Sequence, residues 1–235
     1  MRDTPAPLSE GAATNLMAAD HDPELLIRAA TTLAGPSAES FTHIYEESFP
    51  PSEREDVGGL LDSIASGERL CYLAISADRL VGLAVLLPLR AAPVAFLEYL
   101  AVDATLRRQG IGGRMLDHLS AALPEAATHP EGILLEVEPV DTEDAEERRN
   151  RVRRIALYER KGATVVECAP RYRAPDLVDD TATLPYTLMW LPLPGGPREP
   201  RGALLRDAMR AVLTESYQLD ATDPLVAQVV DGLTC

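Results

Sequence analysis

The sequence predicts an α/β protein in which helices pack on a mixed β-sheet. Two observations predict this fold class: apolar runs of strand length recur along the chain, and segments with apolar residues at helical spacing lie between them. In chain order they give a strand, two helices, three strands, a helix, a strand, a helix and two strands. A chain of 235 residues, 46% of them hydrophobic, can bury a core of its own.

The first elements are a short strand and two helices. Residues 25–30 form an apolar run that predicts the strand, and the apolar spacing over 41–48 predicts a helix. A Pro-Pro pair ends this helix, because proline has no amide donor. Ser52 and Glu55 match the S-x-x-E capping box and predict the start of the second helix. The buried stripe of that helix consists of Val57, Leu60, Leu61 and Ile64.

Three strands and an amphipathic helix follow. Residues 69–76 and 79–89, joined by an Ala-Asp turn, predict an antiparallel hairpin, and 94–102 predict the third strand. Apolar residues at helical spacing predict a helix that ends near Pro124. Three more strands, at 132–140, 163–168 and 183–193, and a charged helix that ends at 161–162 complete the series.

The composition of the two ends differs from that of the middle. Residues 1–22 have no periodicity and predict a flexible arm, so that the domain covers 23–193. Residues 194–235 begin as a Pro- and Gly-rich linker and continue as two amphipathic helices. Their apolar faces have to be buried, against the parent domain, in a homodimer contact or as a flap over the active site.

The formal net charge of −15 bears on partners. It argues against nucleic acids and acidic membranes, which need clustered Lys and Arg, and favours cationic or amine-bearing molecules. The chain has neither an apolar run of about 18 residues nor the pattern of a secretion signal. We therefore expect a cytoplasmic protein without a membrane partner.

The three cysteines, Cys71, Cys168 and Cys235, are odd in number and lack C-x-x-C spacing. They predict free thiols, two in the core and one at the tail, rather than a disulfide framework or a zinc site. No His, Asp or Glu spacing suggests another metal site either. We therefore expect no metal cofactor.

The segment 100–119 joins a strand to a helix through a turn with two arginines and three glycines in four positions. The first amides of a helix lack internal partners, and glycine lets an anion approach them closely. Neither of two common phosphate motifs fits: GxxxxGK[ST] is absent, and GxGxxG fails at Met115. The turn nevertheless predicts a phosphate-bearing ligand.

Residues 107–112, Arg-Arg-Gln-Gly-Ile-Gly after the strand LEYLAV, resemble the acetyl-CoA signature R/Q-x-x-G-x-G/A of the GNAT superfamily of N-acyltransferases. A second segment, RRIALYERKGA at 153–163, resembles the late helix of the same family. The resemblance extends over about 38–193. It implies a mostly antiparallel sheet of six to seven strands, in which a bulge splays the strand before the turn from its parallel neighbour.

The resemblance also implies acetyl-CoA as the acyl donor. The amides of the turn would hold its pyrophosphate, and the backbone of the splayed strand would hold its pantetheine arm. The implied contact residues are Leu100, Ala101, Val102, Arg107, Arg108, Gln109, Gly110, Ile111, Gly112 and Gly113. Arg151 and Arg154, which stand where the family often has Asn and Ala, would bind a cofactor phosphate or an acidic substrate group, or else pair with the acidic residues upstream.

The family mechanism implies direct attack of an amine on the thioester in a ternary complex. Tyr158 lies at the position of the general acid. An amine with a pKa near 10 needs a base, for which Glu98 is the first candidate and Glu136 and Glu138 are alternatives. Strand alternation places residues 98, 100 and 102 on one face of the sheet and 97, 99 and 101 on the other.

The sequence thus predicts a cytoplasmic N-acetyltransferase that acts on a primary amine of a small molecule or peptide. One rival is a non-catalytic acyl-CoA-binding or interaction module. The other is a nucleotide-binding domain that uses the glycine turn for a different phosphate.

Overall fold

The computed structural model describes residues 25–125 and 128–235, so the predicted arm of 1–22 lies outside the described residues. Most strands lie in one seven-stranded sheet. The strands are β1 (Leu26–Ala30), β2 (Leu70–Ser76), β3 (Arg79–Pro88), β4 (Val94–Val102), β5 (Gly132–Val137), β6 (Thr164–Val165), β7 (Arg173–Pro175), β8 (Thr183–Pro185) and β9 (Thr187–Pro192). The sheet has the order β1-β2-β3-β4-β5-β9-β6, while β7 and β8 form a separate pair. Only β4 and β5 run parallel among the described strands.

Helices cover both faces of the sheet. They are α1 (Pro36–Ser48), α2 (Val57–Ser66), α3 (Ile111–Ala122), α4 (Ala145–Arg160), α5 (Gly202–Ala211) and α6 (Pro224–Asp231). One face packs with α3 and α4 in a single hydrophobic cluster. The other face packs with α1 and α2 near β2 and β3, and with α5 and α6 near β5 and β9. The predicted mixed, mostly antiparallel sheet with flanking helices is confirmed.

Local chemistry explains the hairpin between β2 and β3. Ala77 and Asp78, the two turn residues, both have positive φ, at 48° and 59°. Positive φ at both central positions is the geometry of a type I′ turn, whose twist suits an antiparallel hairpin. The predicted Ala-Asp turn is therefore confirmed.

The predicted capping box at Ser52 and Glu55 is wrong. Ser52 lies inside a short 3₁₀ turn that the prolines begin, and Arg54 after it is extended. The N-cap of α2 is Asp56, whose carboxylate accepts the Gly59 N–H at 3.1 Å. The helix begins where the chain first offers a carboxylate cap beyond the extended residues.

The late strands are shorter than predicted. The run 163–168 contributes only β6, and 183–193 divides at Tyr186 into β8 and β9. The Tyr186 N–H donates to the Tyr172 carbonyl at 3.2 Å, which draws this part of the chain toward the β7–β8 pair. The sequence analysis missed β7, a three-residue strand that is too short to show a period.

The C-terminal helices pack on their own chain. Leu205 and Met209 of α5 are fully buried in a cluster with Phe96, Leu134 and Trp190 of the sheet. Three alternatives were predicted for the apolar faces of these helices. The structure shows the first of them, packing on the parent domain. The apolar faces that motivated a homodimer contact are covered within the chain.

A disulfide joins Cys168 to Cys235, so the prediction of free thiols is wrong for this pair and right for Cys71. The two cysteines are 67 residues apart in sequence, and no local spacing indicates the pairing. Within the described part of the chain, no helix is long and apolar enough to span a bilayer. Disulfides are rare in reducing compartments such as the cytoplasm. The bond therefore does not support the predicted cytoplasmic location, which stays a prediction.

We predict that Cys235→Ser lowers the free energy of unfolding by about 2–4 kcal/mol, because the disulfide restricts a long loop in the unfolded chain. Urea denaturation under oxidising conditions measures the difference. Dithiothreitol is the control: it should lower the stability of the wild type to that of the variant and leave the variant unchanged. Equal stability of the two proteins without reductant would contradict the prediction.

Candidate active site

A β-bulge interrupts β4 at Glu98. Val85 on β3 lies opposite Tyr99. The next residue of β3, Leu86, lies opposite Leu97. Glu98 is therefore an extra residue without a direct partner on β3, which is the defining feature of a bulge.

The bulge coincides with the point where β4 and β5 part. Their parallel pairing runs from Val94 opposite Gly132 to Leu97 opposite Leu135 and stops there. Both strands continue, β4 as far as Val102, without pairing to each other. A gap therefore opens between the two strands directly after the bulge, as expected from the family resemblance, which implied a splayed strand.

The bulge also changes which residues share a face. Leu97 and Leu100 both pack in the cluster around α3, whereas Tyr99 and Ala101 pack in the cluster around α1 and α2. The prediction that 97, 99 and 101 share one face is wrong, because an extra residue shifts the alternation by one position.

The unpaired edge of β4 offers peptide groups to the gap. The Asp103 N–H donates to the Val81 carbonyl of β3 at 3.0 Å. Because peptide groups alternate along a strand, those of Val102 and Leu100 point the other way, toward the gap, and those of Ala101 point toward β3. The Val102 carbonyl accepts a bond of 3.2 Å from Arg107 Nε.

The glycine turn presents an uncapped helix N-terminus. Gly110, with φ of 80°, is the N-cap of α3, and no side chain caps the first turn. The first amides of this helix, from Ile111 to Gly113, therefore have no partner within the helix. A left-handed φ favours glycine, and Arg108 two residues earlier also has positive φ, at 71°.

The cationic and amide side chains of the turn lie at the surface. Arg107 folds back on the end of β4, where its guanidinium also donates to Ser48 Oγ at 3.2 Å. Arg108 and Gln109 are exposed. Arg108 and Gln109 thus lie at the surface immediately before the open amides of the helix, whereas Arg107 is engaged at the end of β4.

The next two glycines allow α3 to approach α4. A Cβ on Gly113 would lie 3.1 Å from Lys161 Cε and 3.5 Å from a methyl of Leu157. A Cβ on Gly112 would lie 3.6 Å from Leu157 as well. Helix packing is therefore one reason for these glycines, and Lys161 holds the contact through Asp117, with N–O distances of 2.6 and 2.8 Å.

Tyr158 is buried on the α3 and α4 side of the sheet, with 6% of its surface exposed. Burial raises the pKa of its phenol to about 12, although the charge of Arg154 opposes the shift. The hydroxyl is therefore protonated at neutral pH and is able to donate a proton.

Arg151 and Arg154 are engaged within the chain. Arg154 forms an ion pair with Glu138. Arg151 donates to Glu147, one of the acidic residues upstream, at 3.0 Å and to the Pro139 carbonyl at 2.9 Å. Of the two predicted alternatives, intramolecular pairing is the one seen here.

Glu98 is buried in an ion pair with Arg69. Both side chains are 5% exposed, and two bonds of 2.6 and 3.1 Å join them. Arg69 also reaches Glu55 at 3.0 Å, and Ser216 Oγ donates to Glu98 at 2.6 Å. This carboxylate therefore has a cation beside it that stabilises its charge.

Glu136 is held by tyrosines instead of a cation. Tyr172 donates to one carboxylate oxygen at 2.5 Å and Tyr217 to the other at 2.6 Å. Burial raises the pKa of Glu136 to about 7, the two hydrogen bonds oppose the shift, and the nearby charges of Glu98 and Glu53 add to it. A carboxylate with this pKa can accept and release a proton near neutral pH.

More acidic and aromatic side chains surround Glu136. The pKa of Glu53 is raised, mainly because the carboxyl group is buried and to a lesser degree because of the nearby charge of Glu138. Tyr186 interacts with Glu53 and lies near both Glu136 and Glu138. The sequence analysis missed several members of this cluster, because they come from separate segments without a shared motif. They are Glu53, Glu55, Arg69, Tyr172, Tyr186, Ser216 and Tyr217.

The candidate acid and base lie on opposite faces of the sheet. Leu135 and Val137 pack on the side of Tyr158, so Glu136 between them belongs to the other side, where Tyr217 reaches it. β4 and β5 do not pair with each other beyond Leu97 and Leu135. A molecule that lay between the two strands there would have the side of Tyr158 on one face and the side of Glu136 on the other.

No metal site is apparent in residues 25–125 and 128–235. There, no group of three or more His, Cys, Asp or Glu side chains is arranged to hold an ion. The carboxylates described above are instead neutralised by arginines or held by hydroxyls.

A comparison with family models assigns the chain to a family. The profile of the acetyltransferase (GNAT) family matches residues 38–162, just over half of the chain. No curated protein matches the sequence.

Solved structures share the fold. A protein assigned to the GNAT acetyltransferases from Bacteroides thetaiotaomicron is 22% identical, with a TM-score of 0.61 over 82% of this chain and 99% of that one. An aminoglycoside 6'-N-acetyltransferase complexed with coenzyme A is 17% identical, with a TM-score of 0.55 over 75% of this chain and 99% of that one. Arabidopsis thaliana NAA60 in complex with a bisubstrate analogue is 15% identical, with a TM-score of 0.53 over 74% of this chain and 100% of that one.

We predict that Arg69→Met lowers the free energy of unfolding by about 3–5 kcal/mol, because it leaves the buried Glu98 and the half-buried Glu55 without their cation. The matched control is Arg90→Met, which removes an ion pair with Glu68 from an arginine that is 74% exposed and should cost less than about 1 kcal/mol. Urea denaturation measures both. Similar losses for the two variants would contradict the structural role of Arg69.

Proposed function

Because the chain belongs to the acetyltransferase (GNAT) family, we propose that it transfers an acetyl group from acetyl-CoA to a primary amine of a small molecule or peptide. The observation that carries the proposal is the gap between β4 and β5, which opens beside an uncapped helix N-terminus. A thioester that lies in the gap would have its diphosphate at the helix and its acyl group near Glu136.

The donor would be held mainly by backbone groups. The amides from Ile111 to Gly113 and the positive end of the α3 dipole suit the diphosphate, with Arg108 beside them. The outward peptide groups of Leu100 and Val102 suit the amides of the pantetheine arm, which would lie along β4 as an added strand. Arg107 already bonds to the Val102 carbonyl and would have to move to release it.

The acceptor side suits a cation. Among the described residues, tyrosine hydroxyls form the hydrogen bonds to both carboxylates, from Tyr172 and Tyr217 to Glu136 and from Tyr186 to Glu53. The charges of Arg154 and Arg151 also act on Glu53, but more weakly than burial and Glu138, so its pKa is raised. Carboxylates and aromatic faces attract an alkylammonium group, in agreement with the acidic composition of the chain. An aminoglycoside, the substrate named for one of the similar structures, carries amines of this class, and so does a peptide.

In the proposed reaction, one proton transfer takes place on each face of the sheet, to Glu136 on one face and from Tyr158 on the other. Glu136 accepts a proton from the ammonium group, and the free amine attacks the thioester carbonyl. As the adduct collapses, Tyr158 donates its proton to the departing sulfur, and the second proton of the attacking nitrogen restores the phenol. The products are an acetamide, free coenzyme A and one released proton.

Glu136 suits the role of base better than the other two candidates. Glu98 is paired with Arg69 and Glu138 with Arg154, so the oxygens of both carboxylates are already engaged with a cation. Within the described residues, the hydroxyls of Tyr172 and Tyr217 hold Glu136, whose pKa of about 7 lies near the pH at which the reaction would run. The sequence analysis ranked Glu98 first because the ion pair cannot be seen in the sequence.

We predict that acetyl-CoA raises the melting temperature of the protein and that NAD and ATP do not. A ligand at 100 times its Kd stabilises the folded state by about 2.7 kcal/mol. Thermal shift at matched concentrations is the measurement. Stabilisation by NAD or ATP but not by acetyl-CoA would favour the nucleotide-binding rival.

We predict that kcat rises with pH through an inflection near 7, because Glu136 has to be ionised to accept a proton. Glu136→Gln should lower kcat about 10²–10⁴-fold and remove the inflection. Release of free thiol with a panel of amines is the assay. The control is Glu143→Gln, an exposed carboxylate, which should leave kcat unchanged.

Tyr158→Phe should lower kcat about 10²-fold and leave the KM for acetyl-CoA within about twofold, because the phenol acts only on the departing sulfur. Binding of acetyl-CoA without turnover across the whole amine panel, and no effect of this variant, would favour the non-catalytic acyl-CoA-binding rival. The cytoplasmic location predicted from the sequence belongs to the same proposal.

A further inference from the structure

The chain leaves α5 through an irregular segment, Val212–Tyr217, which we call the π segment. Residues Val212–Ser216 form a π-helical turn, and Tyr217 follows as its C-cap. A π-turn changes the direction of side chains relative to an α-helix and is frequent at functional sites. The family match ends at residue 162, so the π segment lies outside it.

The π segment is fixed at several points. Val212 and Leu213 are fully buried in the core cluster of the C-terminal helices. The Glu215 carboxylate accepts the N–H of Arg90 at 2.8 Å and that of Ala91 at 3.2 Å, in the connection between β3 and β4. This segment is therefore bound to the sheet by both apolar packing and charge-assisted hydrogen bonds.

Two consecutive residues of the π segment reach the two strands that part. Ser216 Oγ donates to Glu98 on β4 at 2.6 Å. Tyr217 donates to Glu136 on β5, also at 2.6 Å. The segment thus bridges the gap through the two carboxylates, at the place where β4 and β5 no longer pair with each other.

We propose that the π segment is a working part of the acceptor site, in which Tyr217 is a positioning residue that holds Glu136 toward the gap as an ionised proton acceptor. This inference rests on the proposed function, since it assigns the C-terminal extension a role at the same site. Ser216 fixes Glu98 in the same way on the opposite strand. The extension therefore does more than cover the core.

Several groups face Glu136, and they act in different directions. The hydroxyls of Tyr172 and Tyr217 stabilise the ionised carboxylate, whereas burial and the charges of Glu98 and Glu53 disfavour it. Glu138, the next carboxylate along the chain, is neutralised by Arg154, and the nearby Tyr186 interacts with Glu53. Loss of the Tyr217 hydroxyl alone removes a stabilising bond and leaves the opposing groups in place.

The test is Tyr217→Phe, which keeps the ring and removes the donor. A hydrogen bond to a charged group is worth about 1.5–3 kcal/mol, so the midpoint of Glu136 ionisation should rise by about one pH unit or more. NMR titration of ¹³C-labelled glutamate carboxyls measures it directly, with Glu136→Gln to assign the signal. An unchanged midpoint would overturn the proposal.

The kinetic consequence depends on pH. With a shift of one unit, kcat of Tyr217→Phe should be about tenfold below wild type at pH 6 and within about twofold of it at pH 9. A purely structural role would lower kcat equally at all pH values, and that result would overturn the proposal. Tyr72→Phe, on β2 beside His118, is the matched control and should change neither the midpoint nor kcat.

The two proposals fail in distinguishable ways. Absence of turnover in the wild type would refute the proposed function, and full activity of Glu136→Gln would refute the role of Glu136 as its base. In both cases the NMR titration of Tyr217→Phe would still decide whether the π segment holds Glu136. Loss of activity in Glu136→Gln together with an unshifted profile in Tyr217→Phe would refute only the role of the segment.

Discussion

The extra residue in β4 is the constraint on which the site depends. Up to Leu97 the strand pairs with β3 on one side and with β5 on the other. One unmatched residue, Glu98, shifts the alternation and increases the local twist, and the parallel pairing ends at the same place. The gap, the free peptide groups of β4 and the side of the sheet on which Glu98 lies all follow from it. A regular β4 would be free to continue pairing with β5 and close the opening.

The carboxylates around the gap illustrate two ways to stabilise a buried acid. Glu98 is paired with Arg69 and Glu138 with Arg154, so each has a cation as its partner. Glu136 receives only neutral hydroxyls from Tyr172 and Tyr217, which orient the group without fixing its charge. A buried acid held by neutral donors keeps a pKa that is sensitive to its surroundings, and this distinguishes a proton acceptor from a structural ion pair.

Features set by adjacent residues were predictable from the sequence. The Ala-Asp turn, the glycine turn before α3 and the apolar face of α3 each depend on a few neighbouring residues, and the structure contains them. The capping box failed although it is local, because the prolines before Ser52 impose a different turn.

Contacts between distant segments were not predictable. Glu98 meets Ser216 across 118 positions and Glu136 meets Tyr217 across 81, and neither pair leaves a spacing in the sequence. The same holds for the disulfide that closes the C-terminal extension. The glycine turn was visible in the residues themselves, and the family resemblance supplied coenzyme A and the acid candidate. The choice among the base candidates needed the ion pairs of Glu98 and Glu138, which join distant segments.

A crystal structure with bound coenzyme A is the direct test of whether the glycine turn and the unpaired edge of β4 hold this molecule. We expect its diphosphate within hydrogen-bond distance of the amides between Ile111 and Gly113. We expect its pantetheine arm along the free edge of β4 at Leu100 and Val102. Coenzyme A bound elsewhere, with this turn empty and β4 and β5 still apart, would contradict it.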